Sequence, residues 1–449
     1  MTSKANSSTI VAISTALGRG AVAVVRLSGP HALEIVCNIT RKQKFQPRYA
    51  TLCHIYDGDE LLDEAIVIYF KAPLSYTREE VCEIQCHGGA VIAHRILELT
   101  LECGATLARN GEFTQRAFLN GRIDLSQAQA ISQMISAKSV QAQKILAKQL
   151  RGDLSLFVNE SRDKLLEVLA YSEVMIDYAD EDLPQDLLSS MQKKILTLQK
   201  ILEEILETSA RRTQIFDGLT LSIIGKPNVG KSSLLNAILA CDRAIISNVA
   251  GTTRDTIEER VNIGGVELCI VDTAGIRQSQ DEIEKIGIER SCAMIAKSEI
   301  VLAVFDASKP LDSDDEEILA LLQTHKDKEI VLVLNKADLP PKIKPDTLPF
   351  LSISLSAKES QIAPLMEHLK GLVQTQDNEG IVLSNASQIQ SVKMTLKSLQ
   401  EAQKELEAGM LEFFSYNLKE AIAHLGHITK PYKTEDLLDK MFGDFCLGK

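Results

Sequence analysis

The sequence predicts a fold of mixed class, α/β plus all-α, in which a helical domain is split by an inserted α/β domain. Three stretches of pattern carry that reading. The first 120 residues mix short β-rich runs with helical ones, residues 124–212 repeat apolar side chains every three or four positions, and strand-helix alternation over residues 216–375 gives way to helical periodicity after Asn385. The divisions are 1–120, 121–215, 216–375 and 376–449.

In the first division, alternation in residues 21–27, 65–70 and 81–86 suits strands, and Gly and Pro punctuate them. In the second, Leu150, Leu154 and Phe157, then Leu165, Leu166 and Leu169, then Ile195, Leu198, Leu202 and Ile205 mark long amphipathic helices. A charged, Pro-containing turn at 180–184 breaks them, so at least two helices pack antiparallel. In the third, the apolar run 219–224 is followed by Gly225-Lys226-Pro227-Asn228-Val229-Gly230-Lys231-Ser232 and, from Ser233 to residue 239, a helical stretch. That is a full phosphate-loop motif in its strand-loop-helix setting. The glycines let successive N–H groups turn inward around phosphates, Lys231 adds a point charge, and Ser232 offers an oxygen to Mg²⁺.

Further along, a strand at 268–271 ends in Asp272-Thr273-Ala274-Gly275. An acid there can hold a water on Mg²⁺, and Gly275 lets its N–H approach a γ-phosphate. The run 330–334 leads into Asn335-Lys336-Ala337-Asp338, whose carboxylate can accept two hydrogen bonds from guanine but finds no such donor pair on adenine. The base is therefore guanine, and with the phosphate-binding motifs the nucleotide reads as GTP. Ser356-Ala357-Lys358 resembles the loop that closes over the guanine oxygen in G proteins. Ile276 and Arg277 follow Gly275 where Ras-type enzymes place a water-orienting Gln, so another group must complete hydrolysis.

Composition bounds the rest. A chain of 449 residues, 45% hydrophobic and 24% charged, has ample material for two to three domains. No apolar run long enough to span a membrane and no signal peptide stands out, and nine scattered cysteines make no disulfide framework, so a cytoplasmic protein is expected. A formal charge of −12 restricts nucleic-acid contact to local patches. Arg41-Lys42-Gln43-Lys44 with Arg48 is one candidate for RNA contact, against the reading of a solvated surface loop. Cys82, Cys86 and His87 suggest a metal site only weakly, because Cys82, Ile84 and Cys86 share one strand face and read as core.

Several segments resemble the tRNA-modifying GTPase family called MnmE or TrmE. They are residues 9–29 with their Gly-Arg-Gly and Arg-Leu-Ser-Gly, His87-Gly88-Gly89, Gly111-Glu112-Phe113-Thr114, Asn228 in the phosphate loop, Ser247-Asn248-Val249-Ala250-Gly251-Thr252-Thr253-Arg254-Asp255, the stretch 281–288, and the closing Cys446-Leu447-Gly448-Lys449. The resemblance implies a Ras-like G domain and an N-terminal folate-binding and dimerising domain. It implies addition of a carboxymethylaminomethyl-type group to C5 of a wobble uridine of certain tRNAs, together with a flavin-dependent partner in a heterotetramer or larger complex. The one-carbon donor is then a 5-formyl- or 5,10-methylene-tetrahydrofolate.

Residue by residue, the resemblance implies Mg²⁺ on Ser232 and Thr253, and K⁺ held by Asn228, Ser247, Val249 and Thr252. It makes Glu284 the water-ordering acid, beside Asn228 and Lys231 as catalytic groups, against the reading of a solvated helix acid. Arg26, Glu83, Arg122 and Lys449 are the implied folate site, although without the resemblance they read as ordinary surface charges. Cys446 is a candidate for chemistry or redox, against plain packing. Two departures stand out: Arg78 where the family tends to Gly, and Ser387-Gln388 after Asn385-Ala386 where Arg-His is common. The competing class is a ribosome-assembly GTPase switch with an appended RNA-binding KH module, but the residues after Asn385 read as acidic amphipathic helix without a basic Gly-x-x-Gly loop. A membrane-remodelling GTPase lacks a membrane-binding segment.

Overall fold

The structure, a computed structural model, describes residues 8–16, 18, 20–137, 139–177, 185–217, 219–241, 259–264, 266–270, 294–325, 327–373, 380–430, 442–443, 445 and 448. Two compact units emerge: residues 1–135, 146–206 and 385–449 form one, and 136–145 with 207–384 form the other.

The first unit opens with a six-stranded sheet of order β3-β4-β5-β2-β1-β6. Its strands are β1 (Ile10–Ile13), β2 (Val22–Ser28), β3 (Thr51–Asp57), β4 (Glu60–Phe70), β5 (Val81–His87) and β6 (Thr106–Leu107). Neighbours are antiparallel except for β6, which pairs parallel with β1. Alternation sorts the faces. Val25, Leu27, Ile55, Val67, Cys82, Ile84 and Cys86 point to the core, where they meet Ile35 and Val36 of α1 (Ala32–Thr40) and Ile96 of α2 (Ala90–Glu102). Arg26, Glu83 and Gln85 occupy the opposite face. Cys82 and Cys86 are thus core residues whose burial pushes their thiols up, while His87 pairs with the buried Asp63 through Nδ1 at 2.7 Å.

The helical part of this unit holds α3 (Glu112–Leu119), α4 (Leu125–Ser136), α6 (Asp153–Asp177), the start of α7 (Gln185–Asp217), α11 (Ala386–Glu407) and α12 (Leu411–Gly426), while α5 (Val140–Arg151) straddles the division between the units. The buried stripe of α6 runs Leu154, Ser155, Val158, Ser161, Leu165, Val168, Ser172, Met175. Leu166, expected on that stripe, is 44% exposed. Serines take the places that an apolar pattern would leave out, and Ser172 meets Ser415 of α12, hydroxyl to hydroxyl, at 2.7 Å. Asn385 caps α11 by accepting from the Gln388 N–H at 2.9 Å. The Gln388 amide, 1% exposed, donates to Gln129 at 3.1 Å, so the departure at 387–388 is absorbed by a buried amide pair. Arg78 lies at φ 62, a left-handed position that favours glycine, and its guanidinium donates to the Asn120 carbonyl at 3.0 Å.

Phe442, Phe445 and Gly448 lie against the N-terminal part of this unit. Phe445 and the Phe442 carbonyl crowd Gly111, and the Ser14 hydroxyl donates to the Gly448 carbonyl at 3.0 Å. Gly448, at φ 87, lies so close to the Ile13 carbonyl that no side chain fits there.

The second unit is a doubly wound sheet of order β12-β11-β10-β7-β9-β8. Its strands are β7 (Leu219–Ile224), β8 (Glu259–Ile263), β9 (Val266–Ile270), β10 (Ile300–Asp306), β11 (Glu329–Asn335) and β12 (Leu351–Ser354), parallel except for the edge strand β8. That order, with one antiparallel edge, is the Ras-like arrangement. β10 and β11 are buried along almost their whole length, as strands covered on both faces must be. Around the sheet lie α8 (Lys231–Cys241), α9 (Ser313–Gln323) and α10 (Ala363–Val373). Among the described residues, no helix is long and apolar enough to cross a membrane.

Candidate functional site

The carboxyl ends of β7, β11 and β12 converge, which is where open parallel sheets bind ligands. A cavity of about 490 Å³ lies there, walled by Asn228, Gly230, Lys231, Ser232, Ser233, Asn335, Lys336, Asp338, Leu339, Ser356 and Lys358. Three sequence motifs that lie far apart in the chain therefore share one cavity.

The loop after β7 owes its shape to residues that tolerate left-handed backbone. Asn228 sits at φ 65 and Gly230 at φ 99. A side chain at Gly230 would overlap the Asn335 amide, and one at Gly225 would overlap the Val304 carbonyl. The loop then runs into α8, whose first residue is Lys231, so the helix N-terminus turns its first N–H groups toward the cavity. The Lys231 ammonium donates to the carbonyls of Gly225 at 2.8 Å and Lys226 at 2.7 Å. Burial lowers its pKa, because the ammonium has lost water and gained only neutral acceptors. A phosphate in the loop would give this ammonium an anionic partner.

Asn335 fastens the motifs together. Its Nδ2 donates to the Val229 carbonyl at 2.8 Å, its Oδ1 accepts from the Ala357 N–H at 3.0 Å, and the residue is 3% exposed. The phosphate loop and the Ser356-Ala357-Lys358 loop thus hang on one amide. Beside it the Ser356 hydroxyl donates to Asp338 at 2.7 Å, which orients the carboxylate assigned to guanine. Lys336 pairs with Asp306 at 2.7 Å, and although burial opposes it, this bond and those from Ser308 hold the Asp306 carboxyl below its usual range. Lys226 reaches Asp312 and Asp315, the two acids that form the capping box of α9. The fastening role of Asn335 and the Lys226 anchor are not in the sequence reading. Their partners lie 22 to 106 residues away, and no local pattern points to them.

The other half of the predicted nucleotide site, Ser247, Asn248, Val249, Ala250, Gly251, Thr252, Thr253, Asp272, Thr273, Ala274 and Gly275, lies outside the described residues, as do Glu284, Cys446 and Lys449.

In the first unit, cross-strand register places Arg26 opposite Glu83, and Arg26 Nε donates to Glu83 Oε1 at 2.8 Å. The Arg26 guanidinium lies 5.4 Å from the Tyr76 ring centre and 5.8 Å from that of Phe113. Arg122 stacks on the same Tyr76 ring at 4.6 Å and donates to the Tyr76 carbonyl at 3.1 Å. Three of the four residues assigned to folate therefore gather around Tyr76, which the sequence reading did not single out. One carboxylate, two guanidinium groups and aromatic faces suit a flat heterocycle with an N–H edge and an anionic tail. Gly448 sits in the same unit against Ile13 and Ser14.

Among the described residues after Asn385, α11 and α12 pack as a helical hairpin turning at Gly409, φ 75, and form no KH module.

Comparison with known proteins points one way. Residues 9–122 match the family described as the GTP-binding protein TrmE N-terminus, and residues 125–446 match the MnmE helical domain. The tRNA modification GTPase MnmE of Sulfurimonas denitrificans is 52% identical over 445 residues, covering 98% of this chain and 99% of that protein. The protein of the same name from Wolinella succinogenes is 51% identical over 456 residues, with 100% of both chains covered. That of Helicobacter pylori strain J99 is 44% identical over 452 residues, covering 98% and 97%.

Proposed function

The chain belongs to the MnmE family of tRNA modification GTPases, and on that premise we propose that its GTP hydrolysis serves the building of a carboxymethylaminomethyl-type group on C5 of the wobble uridine of certain tRNAs. The protein works in the cytoplasm as a homodimer. A flavin-dependent partner joins it in a heterotetramer or larger complex, and a tetrahydrofolate derivative supplies the one-carbon unit.

The observation that carries this reading is the coexistence of two unlike sites in one chain: the guanine-nucleotide cavity around Asn335, and the Arg26, Glu83 and Arg122 cluster around Tyr76. A simple nucleotide switch has no use for the second. The direct test is mass spectrometry of wobble uridines in cells deleted for this gene. Loss of the modified nucleoside, restored by the wild-type chain, is expected, and an unchanged nucleoside profile overturns the reading.

Within the G domain, hydrolysis depends on K⁺. No Gln follows Gly275, and Asn228, Ser247, Val249 and Thr252 offer oxygens for a monovalent cation that neutralises charge developing on the phosphates. Sodium is too small for that cage. The turnover number is expected to rise in KCl over NaCl, and Asn228→Ala is expected to abolish the difference; equal rates in the two salts contradict the proposal. Glu284 orders the attacking water, and Mg²⁺ is held by Ser232 and Thr253. Glu284→Ala is expected to bind GTP normally and to lose most turnover at saturating K⁺.

A further inference from the structure

Residues 41–56 carry Arg41, Lys42, Lys44 and Arg48 and not one carboxylate, in a chain whose formal charge is −12. The cations precede the edge strand β3 of the first unit's sheet, on a loop tied to that sheet by a bridge from Pro47 to Tyr69. Arg41 forms the left-handed cap of α1 at φ 55, lays its guanidinium 4.4 Å over the Tyr56 ring and donates to Asp59 at 2.8 Å. Lys42 reaches the Leu52 carbonyl at 3.4 Å. Arg48, at φ 60, is pinned by its own N–H on the Tyr69 carbonyl at 2.7 Å and by its guanidinium on the Leu74 carbonyl at 3.0 Å. Backbone preference alone favours Gly or Asn at both arginine positions. Among the described residues Lys42, Lys44 and Arg48 make no ion pair. Next to Arg48, Tyr49 is 60% exposed.

We propose that this border of the sheet is the RNA-docking surface: the cations of the 41–48 loop grip the phosphates of a tRNA anticodon stem-loop, and Tyr49 stacks on an unpaired base. The proposal rests on the reading that the protein serves tRNA. Within the 41–48 loop four cations and no carboxylate match a sugar-phosphate chain, with Arg41 held by Asp59 and Lys42, Lys44 and Arg48 facing the phosphates. An exposed ring beside the charges is what single-stranded recognition adds to electrostatic grip.

The experiment is fluorescence anisotropy of a labelled anticodon stem-loop from unmodified tRNA against the full-length protein, between about 50 and 200 mM KCl. Removal of three phosphate contacts in a Lys42→Ala, Lys44→Ala, Arg48→Gly variant is expected to flatten the log–log salt dependence by about 2, at ~0.7 per contact. Tyr49→Ala is expected to weaken binding about tenfold with the salt slope unchanged. GTP hydrolysis is expected to stay as in the wild type for both variants and the melting temperature not to fall, which separates lost docking from lost folding. Wild-type affinity and slope in both variants overturn the assignment of this surface while leaving the tRNA reading standing. Absence of binding by the wild-type protein overturns both. If the triple variant loses heparin and RNA binding alike while Tyr49→Ala loses nothing, the surface is a general anion patch and the RNA assignment falls.

Discussion

The nucleotide cavity of the second unit and the Arg26–Glu83–Arg122 cluster of the first, whose proposed ligands share a donor pair and an anionic tail, are assembled by different routes. The cavity is built from short contiguous segments in which main-chain groups do much of the binding, so each segment needs a fixed order of residues such as Gly225 to Ser232. The cluster is built from side chains 39 and more positions apart, brought together by strand register and by one aromatic ring. A site made of backbone writes a motif into the sequence. A site made of register leaves none, and only resemblance to a family finds it.

The contrast can be broken by substitution. The largest effect belongs to Gly230→Ala. Its added methyl overlaps the Asn335 amide at a left-handed position, so GTP affinity is expected to fall at least about 100-fold, read by fluorescent-nucleotide titration. Asn335→Ala comes next. It leaves the Ala357 N–H and the Val229 carbonyl without partners, at about 1–3 kcal/mol for a buried group, and both GTP affinity and the melting temperature are expected to drop. In the first unit Glu83→Ala separates ligand from fold. The Arg26 pair is partly exposed, so stability is expected to move by less than about 1 kcal/mol. Calorimetric affinity for 5-formyltetrahydrofolate is expected to fall about tenfold or more. Unchanged affinity removes Glu83 from the ligand site. The smallest effect is a gain. Arg78→Gly relieves a left-handed backbone at the cost of one exposed hydrogen bond, and chemical denaturation is expected to show about 1 kcal/mol of added stability.

What could be read from the sequence follows the same division. Strands β7 and β11 fall within a residue of their expected positions, because buried parallel strands are continuous apolar runs bounded by functional loops. Strand β3 has no expected counterpart: an exposed Leu52 beside the buried Cys53 and Ile55 blurs the apolar alternation, and its partner β4 is what holds it in the sheet. The α6 stripe was legible in period but not in membership, since Ser155, Ser161 and Ser172 are buried at helical spacing and Leu166 is not. Glycine at 230 and the asparagine at 335 were both visible as motif letters. That one packs against the other is a fact about distance in space, and sequence carries it only as co-occurrence.

The hydrogen bond from Ser14 to Gly448 joins residues 434 positions apart. At roughly 5–20 residues per second, the ribosome delivers the second partner some 20–90 s after the first. During that interval the sheet of the first unit waits with the Ile13–Ser14 border and the hollow beside Gly111 uncovered, while the whole of the second unit is synthesised and can fold around its own core. The earliest part of the molecule to be made is therefore among the last to be finished, and the apolar surface of Phe118, Ile123 and Ala128, which Phe442 and Phe445 later cover, is a place where a nascent-chain chaperone would find a substrate.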